Sequence, residues 1–426
     1  MQYLSTRDSA LRVSAQEAIV RGLAPQSGLF VPETFPQADL DAWKNLSYPE
    51  LAEKVLAGFL TDYSADFLHT ATASTYGAAF GGKAGETVKV RDGLYSLELW
   101  HGPTCAFKDY ALQLMPKLLV EAKKMLGRTE TTRILVATSG DTGKAALAGY
   151  ADLDGIEIEV FYPNDGTSEI QHLQMATQKG ENVQVYAVQG NFDDAQTGVK
   201  KVFADADVAA ELEKRGIRLS SANSINWGRL VPQIVYYFYA YFRLAEQGAV
   251  EWGKPVDFCV PTGNFGDILA GYYAKQMGLP VGRLVCASNK NNVLTDFLRT
   301  GTYDARRTFY KTTSPSMDIL ISSNLERLLY HVSGSSEKVA GWMQELSATG
   351  KYTVDAETLA KIQQSFAAGY ADDATVLLKS RSALTPTTTS ATPTPPWPSA
   401  WPRPGAPTRR WSCSLRPARS SSRATS

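Results

Sequence analysis

Short runs of aliphatic residues alternate with longer stretches of helical periodicity along most of the chain. Four runs have the composition of buried strands: 133–137, 157–162, 183–188 and 256–260. Helical patterns follow several of them, at 143–152, 192–205 and 267–277. Strands that alternate with helices are typical of a parallel sheet covered by helices on both faces. The pattern therefore predicts an α/β fold.

The beginning of the chain has a different pattern. Residues 1–85 are mostly amphipathic helix, with proline turns at Pro25, Pro32 and Pro36. Helical stretches without intervening aliphatic strands indicate a separate unit. We therefore expect an added helical N-terminal domain over 1–85, followed by an α/β region, which the family resemblance given below divides into two lobes over 86–376.

Composition and charge exclude several classes of protein. The 426 residues contain 43 Lys and Arg against 43 Asp and Glu, so neither a nucleic acid nor an anionic membrane is expected as a partner. The four cysteines have neither the spacing of a disulfide framework nor that of a metal site. No apolar run reaches the roughly 18 residues that a membrane span requires. A cytoplasmic enzyme, monomeric or homodimeric and without a metal, is the expectation.

The last part of the chain departs from this average. Residues 374–426 contain no Asp or Glu, whereas they hold Lys379 and seven Arg. Proline, serine and threonine are abundant there, and aliphatic residues are too few to offset the loss of conformational entropy on folding. The sequence therefore predicts a disordered, aberrant tail over 377–426. A natural low-complexity tail is the alternative.

The first chemically suggestive segment is His101-Gly-Pro-Thr-Cys-Ala-Phe-Lys108-Asp-Tyr110. Gly-Pro predicts a turn after the strand-like segment 95–100, and a helical pattern follows over 110–124. Lys108 thus lies where a turn meets a helix, which suits an amine that forms a Schiff base. A solvated surface lysine is the alternative for this residue taken alone.

Two further loops each lie between a predicted strand and a predicted helix. The first reads Thr138-Ser-Gly-Asp-Thr-Gly143, and the second reads Pro261-Thr-Gly-Asn-Phe-Gly-Asp267. Glycines with exposed N–H groups at a helix N-terminus favour binding of a carboxylate or a phosphate. Helix capping with turn glycines is the alternative for the first loop. The second loop matches neither the Walker A nor the dinucleotide-binding pattern. A lysine with two such loops suits an aldehyde cofactor that carries a phosphate.

At this point the residues resemble a known family. The chain is similar to threonine synthase, a pyridoxal-phosphate enzyme of the tryptophan-synthase-β fold type, in the longer branch found in fungi and many bacteria. The resemblance covers residues 1 to about 376. The segments that carry it start at Tyr3, Gly28, His101, Ser139, Asn223 and Gly263.

The resemblance implies roles for particular residues. Lys108 would hold pyridoxal phosphate as a Schiff base and shuttle protons. The cofactor would be lined by Gly263, Asn264, Phe265, Gly266 and Asp267. The α-carboxylate of the substrate would be received by Ser139, Gly140, Asp141, Thr142 and Gly143. Asn226 and Arg229 are candidates for the phosphate of the substrate, because a guanidinium matches phosphate oxygens; a surface ion pair is the alternative for Arg229.

The implied reaction converts O-phospho-L-homoserine and water into L-threonine and phosphate, the work of a carbon–oxygen lyase that acts on phosphates. Two alternatives stay open. One is another enzyme of this fold type, a dehydratase or phospho-lyase that releases a 2-oxoacid. The other is a catalytically impaired remnant.

The second alternative follows from the tail. The family continues with an Asp-Pro-His-Thr-Ala-Val segment and a later Ser-Thr-Ala-His-Pro motif, and this chain has neither. When the reading frame is moved back by one base, codons 392–397 permit Asp-Pro-His-Thr-Ala-Val, and Trp411-Ser412-Cys413 permits Val-Val-Leu. The later motif matches in part. A frameshift near 377–381 is therefore the interpretation of the tail.

Overall fold

The computed structural model describes residues 1–138, 140–164, 167, 169–190, 192–384 and 409–412. Its strands are β1 (Tyr3–Ser5), β2 (Asp8–Val13), β3 (Phe30–Pro32), β4 (Glu86–Arg91), β5 (Leu94–Glu98), β6 (Thr131–Ala137), β7 (Ile156–Pro163), β8 (Val183–Val188), β9 (Ile217–Ser220), β10 (Val256–Pro261), β11 (Val281–Ser288), β12 (Thr302–Asp304), β13 (Lys351–Thr353), β14 (Phe366–Tyr370) and β15 (Arg409–Ser412).

The helices of the described residues are α1 (Ala15–Arg21), α2 (Leu40–Trp43), α3 (Tyr48–Phe59), α4 (Ala65–Tyr76), α5 (Asp109–Leu112), α6 (Met115–Met125), α7 (Asp141–Tyr150), α8 (Glu169–Ala176), α9 (Phe192–Ala204), α10 (Ala206–Lys214), α11 (Trp227–Leu230), α12 (Ile234–Glu246), α13 (Gly266–Gln276), α14 (Val293–Thr300), α15 (Leu325–Ser333), α16 (Ser336–Thr349), α17 (Ala356–Ser365) and α18 (Asp373–Leu384). Short 3-10 turns lie at Pro25–Ser27, Ala78–Phe80, Val231–Gln233 and Pro315–Met317.

The N-terminal region is helical, and it also contains a small sheet. Strands β2, β1 and β3 pair in that order, and both pairings are antiparallel. The sequence does not predict this sheet, because two of the three strands have only three residues. Strands that short have too few positions for an alternating pattern.

A four-stranded sheet with helices α7 to α10 forms what we call the small lobe. Its strand order is β8-β7-β6-β9, and every pairing is parallel. The centre of β6 consists of Ile134, Leu135 and Val136, all at most 3% exposed, as expected for a strand that helices cover on both faces. Because α7 follows β6, the loop at 138–140 lies at the carboxyl edge of this sheet.

The second lobe, here called the large lobe, is built on a six-stranded sheet of order β14-β11-β10-β15-β5-β4. The pairings from β14 to β5 are parallel, and β4 is antiparallel to β5. Helix α13 follows β10, so the turn at 262–265 lies at the carboxyl edge of the sheet. Ligands of open parallel sheets are usually bound outside these edges.

The predicted strands and helices agree closely with the structure, and one helix differs. The pattern over 110–124 forms two helices, α5 and α6, instead of one. Pro116 lies in the first turn of α6, where its missing N–H costs no hydrogen bond, and the chain therefore restarts the helix there. No helix in the described residues is both long and apolar enough to cross a membrane.

The tail departs in two places from the expected disorder. Helix α18 continues through Leu384, and β15 pairs in parallel with β10 on one side and with β5 on the other. Residues 385–408 and 413–426 lie outside the described residues. Regular structure forms at 409–412 because the other strands of the large lobe leave one unpaired position between β5 and β10.

Candidate active site

Lys108 lies at the end of a turn that a buried carboxylate organises. Asp109 is fully buried, and it accepts hydrogen bonds from the backbone N–H of Thr104 at 2.8 Å and from the hydroxyl of Thr104 at 2.7 Å. The Gln113 amide donates to the same side chain. Burial raises the pKa of Asp109, whereas these donors act in the opposite direction. The turn therefore places Lys108 as the residue that precedes α5.

The Lys108 amine faces the small lobe. Its Nζ lies 3.2 Å from Asp141 Oδ2, and the two side chains are 13% and 24% exposed. Asp141 also accepts hydrogen bonds from Ser316 and from Gln171. The charge of Lys108 is the main cause that lowers the pKa of Asp141, with these two hydrogen bonds acting in the same direction. Asp141 is therefore an ionised carboxylate beside the lysine at neutral pH.

The loop before α7 is shaped by one hydroxyl and one glycine. Thr138 Oγ1 accepts the backbone N–H groups of Gly140 and Gly143, each at 3.0 Å. Gly140 has a φ of 149°, and a Cβ there would collide with the side-chain amide of Gln171, so no other residue fits this position without rearrangement. The Thr142 hydroxyl and N–H have no hydrogen-bond partner among the described residues. Ser139, also predicted for this site, lies outside those residues.

The turn before α13 has its carbonyls held on one side. Ser322 Oγ donates to the carbonyl of Gly263 at 2.8 Å, and both the N–H and the side-chain amide of Asn324 donate to the carbonyl of Asn264 at 3.0 Å. Phe265 then adopts a left-handed φ of 63°. In a planar trans peptide the N–H points opposite to the preceding carbonyl. The N–H groups of residues 264 and 265 therefore point away from Ser322 and Asn324.

These N–H groups are available to an acceptor. Among the described residues, no acceptor binds the backbone N–H of any position from 263 to 267. The turn lies at the N-terminus of α13, a helix of 11 residues, whose partial positive charge adds to the effect. A phosphate is an anion of the size and charge that such a turn accepts.

Asp267 takes part in this site through its backbone alone. Its side chain is partly buried and accepts hydrogen bonds from the hydroxyls of Tyr236 and Tyr237 on α12, at 2.7 and 2.8 Å. Burial raises the pKa of Asp267 to about 6. The carboxylate therefore anchors α13 to α12, and only its N–H belongs to the turn.

Two predicted residues, Asn226 and Arg229, have contacts of their own outside the two loops. The Asn226 side chain is buried, donates to the carbonyl of Ile19 and caps α11. It is thus committed to joining α11 to α1.

Arg229 also has buried partners. It is 4% exposed, bonds to the carbonyl of Ala222, and interacts with Tyr150. Tyr150 is the last residue of α7, about 13 Å along the axis from Asp141 at its start. The ion pair that was the alternative for Arg229 is not found among its described contacts either.

The turn Pro315–Met317 joins the two loops and was not predicted from the sequence. A Cβ on Gly263 would lie 3.2 Å from the Met317 Cα and 3.3 Å from the Ser316 carbonyl oxygen, so backbone packs on backbone there. The Ser316 side chain meanwhile bonds to Asp141. The proline turn in Ser314-Pro315-Ser316 is a local signal, but nothing in it indicates a partner 175 residues away.

Comparison with known proteins gives a consistent result. Residues 2–76 match the family model "Threonine synthase N terminus", and residues 84–378 match the model "Pyridoxal-phosphate dependent enzyme". The chain is 41% identical over 371 residues to threonine synthase of Pseudomonas aeruginosa, an alignment that covers 86% of this chain and 76% of that protein.

Two further relatives are informative. A human protein, threonine synthase-like 1, is 40% identical over 394 residues, which are 87% of this chain and 53% of that protein. The chain therefore spans about half the length of that relative. The crystal structure of a threonine synthase from Brucella melitensis with pyridoxal phosphate bound has a TM-score of 0.81 at 39% identity, covering 87% of this chain and 78% of that one.

Proposed function

Because this chain belongs to the threonine synthases, a family of pyridoxal-phosphate-dependent enzymes, we propose that it converts O-phospho-L-homoserine and water into L-threonine and phosphate. The observation that carries the proposal is the position of Lys108, which lies beside Asp141 and is joined through Ser316 to the glycine turn at 263–267. A phosphorylated aldehyde requires an amine for its carbonyl group and donors for its phosphate, and Ser316 links two such groups here.

The residues present fit pyridoxal phosphate. Lys108 supplies the amine for the aldehyde. Donors for the phosphate are the N–H groups that lack an acceptor among the described residues, those of Gly263, Asn264, Phe265, Gly266 and Asp267. When bound, the cofactor acts as an electron sink for the carbanion that forms when the substrate loses its Cα proton. The protein contributes position and charge: the carbonyls of the turn are already held, so the donors need no rearrangement to receive a phosphate.

Lys108 also moves protons. An amine released from the cofactor stays within reach of the substrate, because the turn organised by Asp109 fixes its backbone. It is thus placed to take the proton from Cα and to transfer protons at Cβ. Asp141 lies against Lys108 Nζ and stabilises the protonated amine between these steps.

The loop Ser139–Gly140–Asp141–Thr142–Gly143 is proposed to bind the α-carboxylate of the substrate. Its available donors are the hydroxyl and N–H of Thr142, at the N-terminus of the ten-residue helix α7. Lys108 offsets the negative charge of Asp141, so a second carboxylate can approach the loop. Asn226 and Arg229 are left out of the proposed substrate site, because their described contacts tie them to α1 and to the far end of α7.

The experiment is a turnover assay with product analysis. The chain is incubated with pyridoxal phosphate and O-phospho-L-homoserine, and threonine, phosphate and 2-oxoacid are measured together. We expect threonine and phosphate in equal amounts, lost in Lys108→Ala and kept in Lys144→Ala, a nearby lysine that bonds to Gln178 instead. Release of a 2-oxoacid as the main product would favour a dehydratase or phospho-lyase over the proposed function.

The tail limits how well the chain is expected to work. The family match ends at residue 378, and strand β15 reads Arg-Arg-Trp-Ser. The centre of a parallel sheet is usually made of aliphatic residues. One base back, the codons of 411–413 permit Val-Val-Leu, which suits that position between β10 and β5. A frameshift near 377–381 therefore accounts for both the composition of the tail and its poor match to the sheet.

Restoring the frame tests this explanation. Burial of each aliphatic side chain contributes about 1.5–3 kcal/mol, so a strand with the restored sequence should raise the free energy of unfolding by several kcal/mol. We expect the restored protein to unfold at a higher temperature and to retain pyridoxal phosphate on dialysis better than the chain with the present tail. Equal stability and equal kcat/KM of the two proteins would mean that the present tail is the natural one.

A further inference from the structure

A hydroxyl of the large lobe reaches the carboxylate beside Lys108. Ser316 Oγ donates to Asp141 Oδ2, the same oxygen that lies 3.2 Å from Lys108 Nζ. Gln171 Nε2 donates to the other oxygen, Oδ1, from α8 of the small lobe. The carboxylate of Asp141 is therefore held by groups from both lobes at once.

The turn that carries Ser316 is closely packed. The Met317 N–H donates to the Ser314 carbonyl at 2.9 Å, and Met317 itself is buried. On its other side, the turn lies against Gly263. A Cβ on this glycine would be only 3.3 Å from the Ser316 carbonyl oxygen, so the absence of a side chain allows the close approach. Ser316 is thus in contact with both the glycine turn and the loop before α7.

A hydrogen-bond network fixes the next residue of the turn. The carboxylate of Asp318 accepts from the side-chain amides of Asn289 and Asn291, at 2.6 and 3.0 Å, and from the Thr312 hydroxyl at 2.7 Å. Asn289 and Asn291 follow directly after β11. The turn is therefore anchored to the carboxyl edge of the large sheet, and its position does not depend on the contact with Asp141.

We propose that Ser316 is a positioning residue, which orients the Asp141 carboxylate and, through it, directs the Lys108 amine toward the glycine turn. The terminal torsion of an aspartate is broad, so a carboxylate with fewer donors samples more orientations. Ser316 removes this freedom from the large-lobe side, where the phosphate donors are. The inference rests on the proposed function only in taking Lys108 as the amine that captures the cofactor.

The test measures how fast Lys108 captures pyridoxal phosphate. The full chain, freed of cofactor, is mixed with pyridoxal phosphate, quenched with borohydride at short times, and the yield of pyridoxyl-Lys108 is read by peptide mapping. Hydrogen bonds to a charged group are strong, and losing one should slow capture by Ser316→Ala about 10- to 100-fold. Far-UV dichroism checks that the variant is folded.

Two further variants test whether the Ser316 hydroxyl, and not the stability of the turn, sets the rate of capture. Ser316→Thr keeps a hydroxyl and should restore the rate to within about threefold. Ser314→Ala lies in the same segment, and the Ser314 hydroxyl has no hydrogen bond to any described residue. It should leave the rate unchanged. A loss in Ser314→Ala equal to that in Ser316→Ala would assign the effect to the stability of the turn and overturn the proposal.

A double-mutant cycle shows whether Ser316 acts through Asp141. If it does, Ser316→Ala should have no further effect on capture in an Asp141→Asn background. Independent, additive losses would contradict the proposal, as would a parental rate in Ser316→Ala alone. Because the readout is attachment at Lys108 and not threonine formation, a chain that captures cofactor normally but makes no threonine would refute the proposed function and leave this test valid.

Discussion

The loop at 138–143 and the turn at 263–267 share a local architecture, but they differ in which of their groups are bound by the rest of the protein. Each follows a parallel strand, β6 or β10, and each begins a helix with an acidic residue in its first turn, Asp141 in α7 and Asp267 in α13. Asp141 faces Lys108, which lowers its pKa, whereas desolvation raises the pKa of Asp267 to about 6 in spite of the hydrogen bonds from two tyrosines. The pKa of the same residue type at the same place is therefore lowered in one loop and raised in the other.

This contrast identifies the part of each loop that is available to a ligand. In the turn at 263–267 the side chain and carbonyls are committed to the protein, and the backbone N–H groups are left. In the loop at 138–143 the N–H groups of Gly140 and Gly143 are taken by Thr138, and among the described residues the hydroxyl and N–H of Thr142 are left. We therefore propose the first as a backbone site for an anion and the second as a site that binds through charge and proton transfer.

The largest effect is expected at Gly263. A valine there would press its branched Cβ on the Ser316 and Met317 backbone, already 3.2–3.3 Å away, and would displace the turn from its donors. Losing two charge-assisted hydrogen bonds should weaken pyridoxal phosphate binding by about 100-fold or more, measured by equilibrium dialysis. Gly266→Ala is the control, since a Cβ there has ordinary contacts from 3.5 Å. Equal losses in both variants would contradict a rigid turn built around Gly263.

The next effect concerns the partly buried carboxylate of Asp267. Because its pKa in the folded chain, about 6, lies above the ordinary value of 3.8, the folded state holds a proton that the unfolded state releases. This stability is complete below about pH 4 and is lost as the pH rises through about 6, a change of about 3 kcal/mol. Relative to Asp267→Asn, the parent chain should lose stability over this window in urea titrations. If the difference in free energy of unfolding between the parent and Asp267→Asn stayed constant between about pH 4 and 7, the pKa of Asp267 would not be raised as described.

These effects show what could be read from the sequence. Glycine and proline punctuate the chain, and aliphatic runs mark the strands, so the three loops and their places between strand and helix were predictable. Nothing local indicates that Tyr236 and Tyr237 hold Asp267, or that Ser316 meets Asp141, because such pairs form only when distant elements pack. Arginine chemistry suggests Arg229 for a phosphate, but the sequence does not tell toward which end of α7 its side chain lies.

Gly140 should affect the other loop and spare cofactor binding. Gly140 has a φ of 149°, and an added Cβ would collide with Gln171. Gly140→Ala should therefore shift the loop, and Asp141 and Thr142 with it. We expect kcat/KM for phosphohomoserine to fall about 10-fold or more, while the dialysis constant for pyridoxal phosphate stays within about threefold. If cofactor binding falls as much as in Gly263→Val, the two loops do not have separate roles.

The smallest effect is the pH dependence at Asp141, and its sign is opposite to that at Asp267. Lys108 lowers the pKa of Asp141 in the folded chain, so the stabilisation is present above the ordinary pKa of 3.8 and is lost as the pH falls below it. Relative to Asp141→Asn, the parent should therefore lose stability on acidification. In urea titrations, the free energy of unfolding of the parent relative to each variant should change with pH in opposite directions for Asp141→Asn and Asp267→Asn. Changes in the same direction would contradict the contrast between the loops.

The most direct test is to find where the cofactor attaches. The chain is saturated with pyridoxal phosphate, reduced with borohydride, digested and mapped by mass spectrometry. We expect one pyridoxyl group, on the peptide that contains Lys108, because that amine alone among those described lies beside Asp141. A pyridoxyl group on Lys144 or any other lysine, with Lys108 unmodified, would contradict the assignment of Lys108 as the cofactor amine.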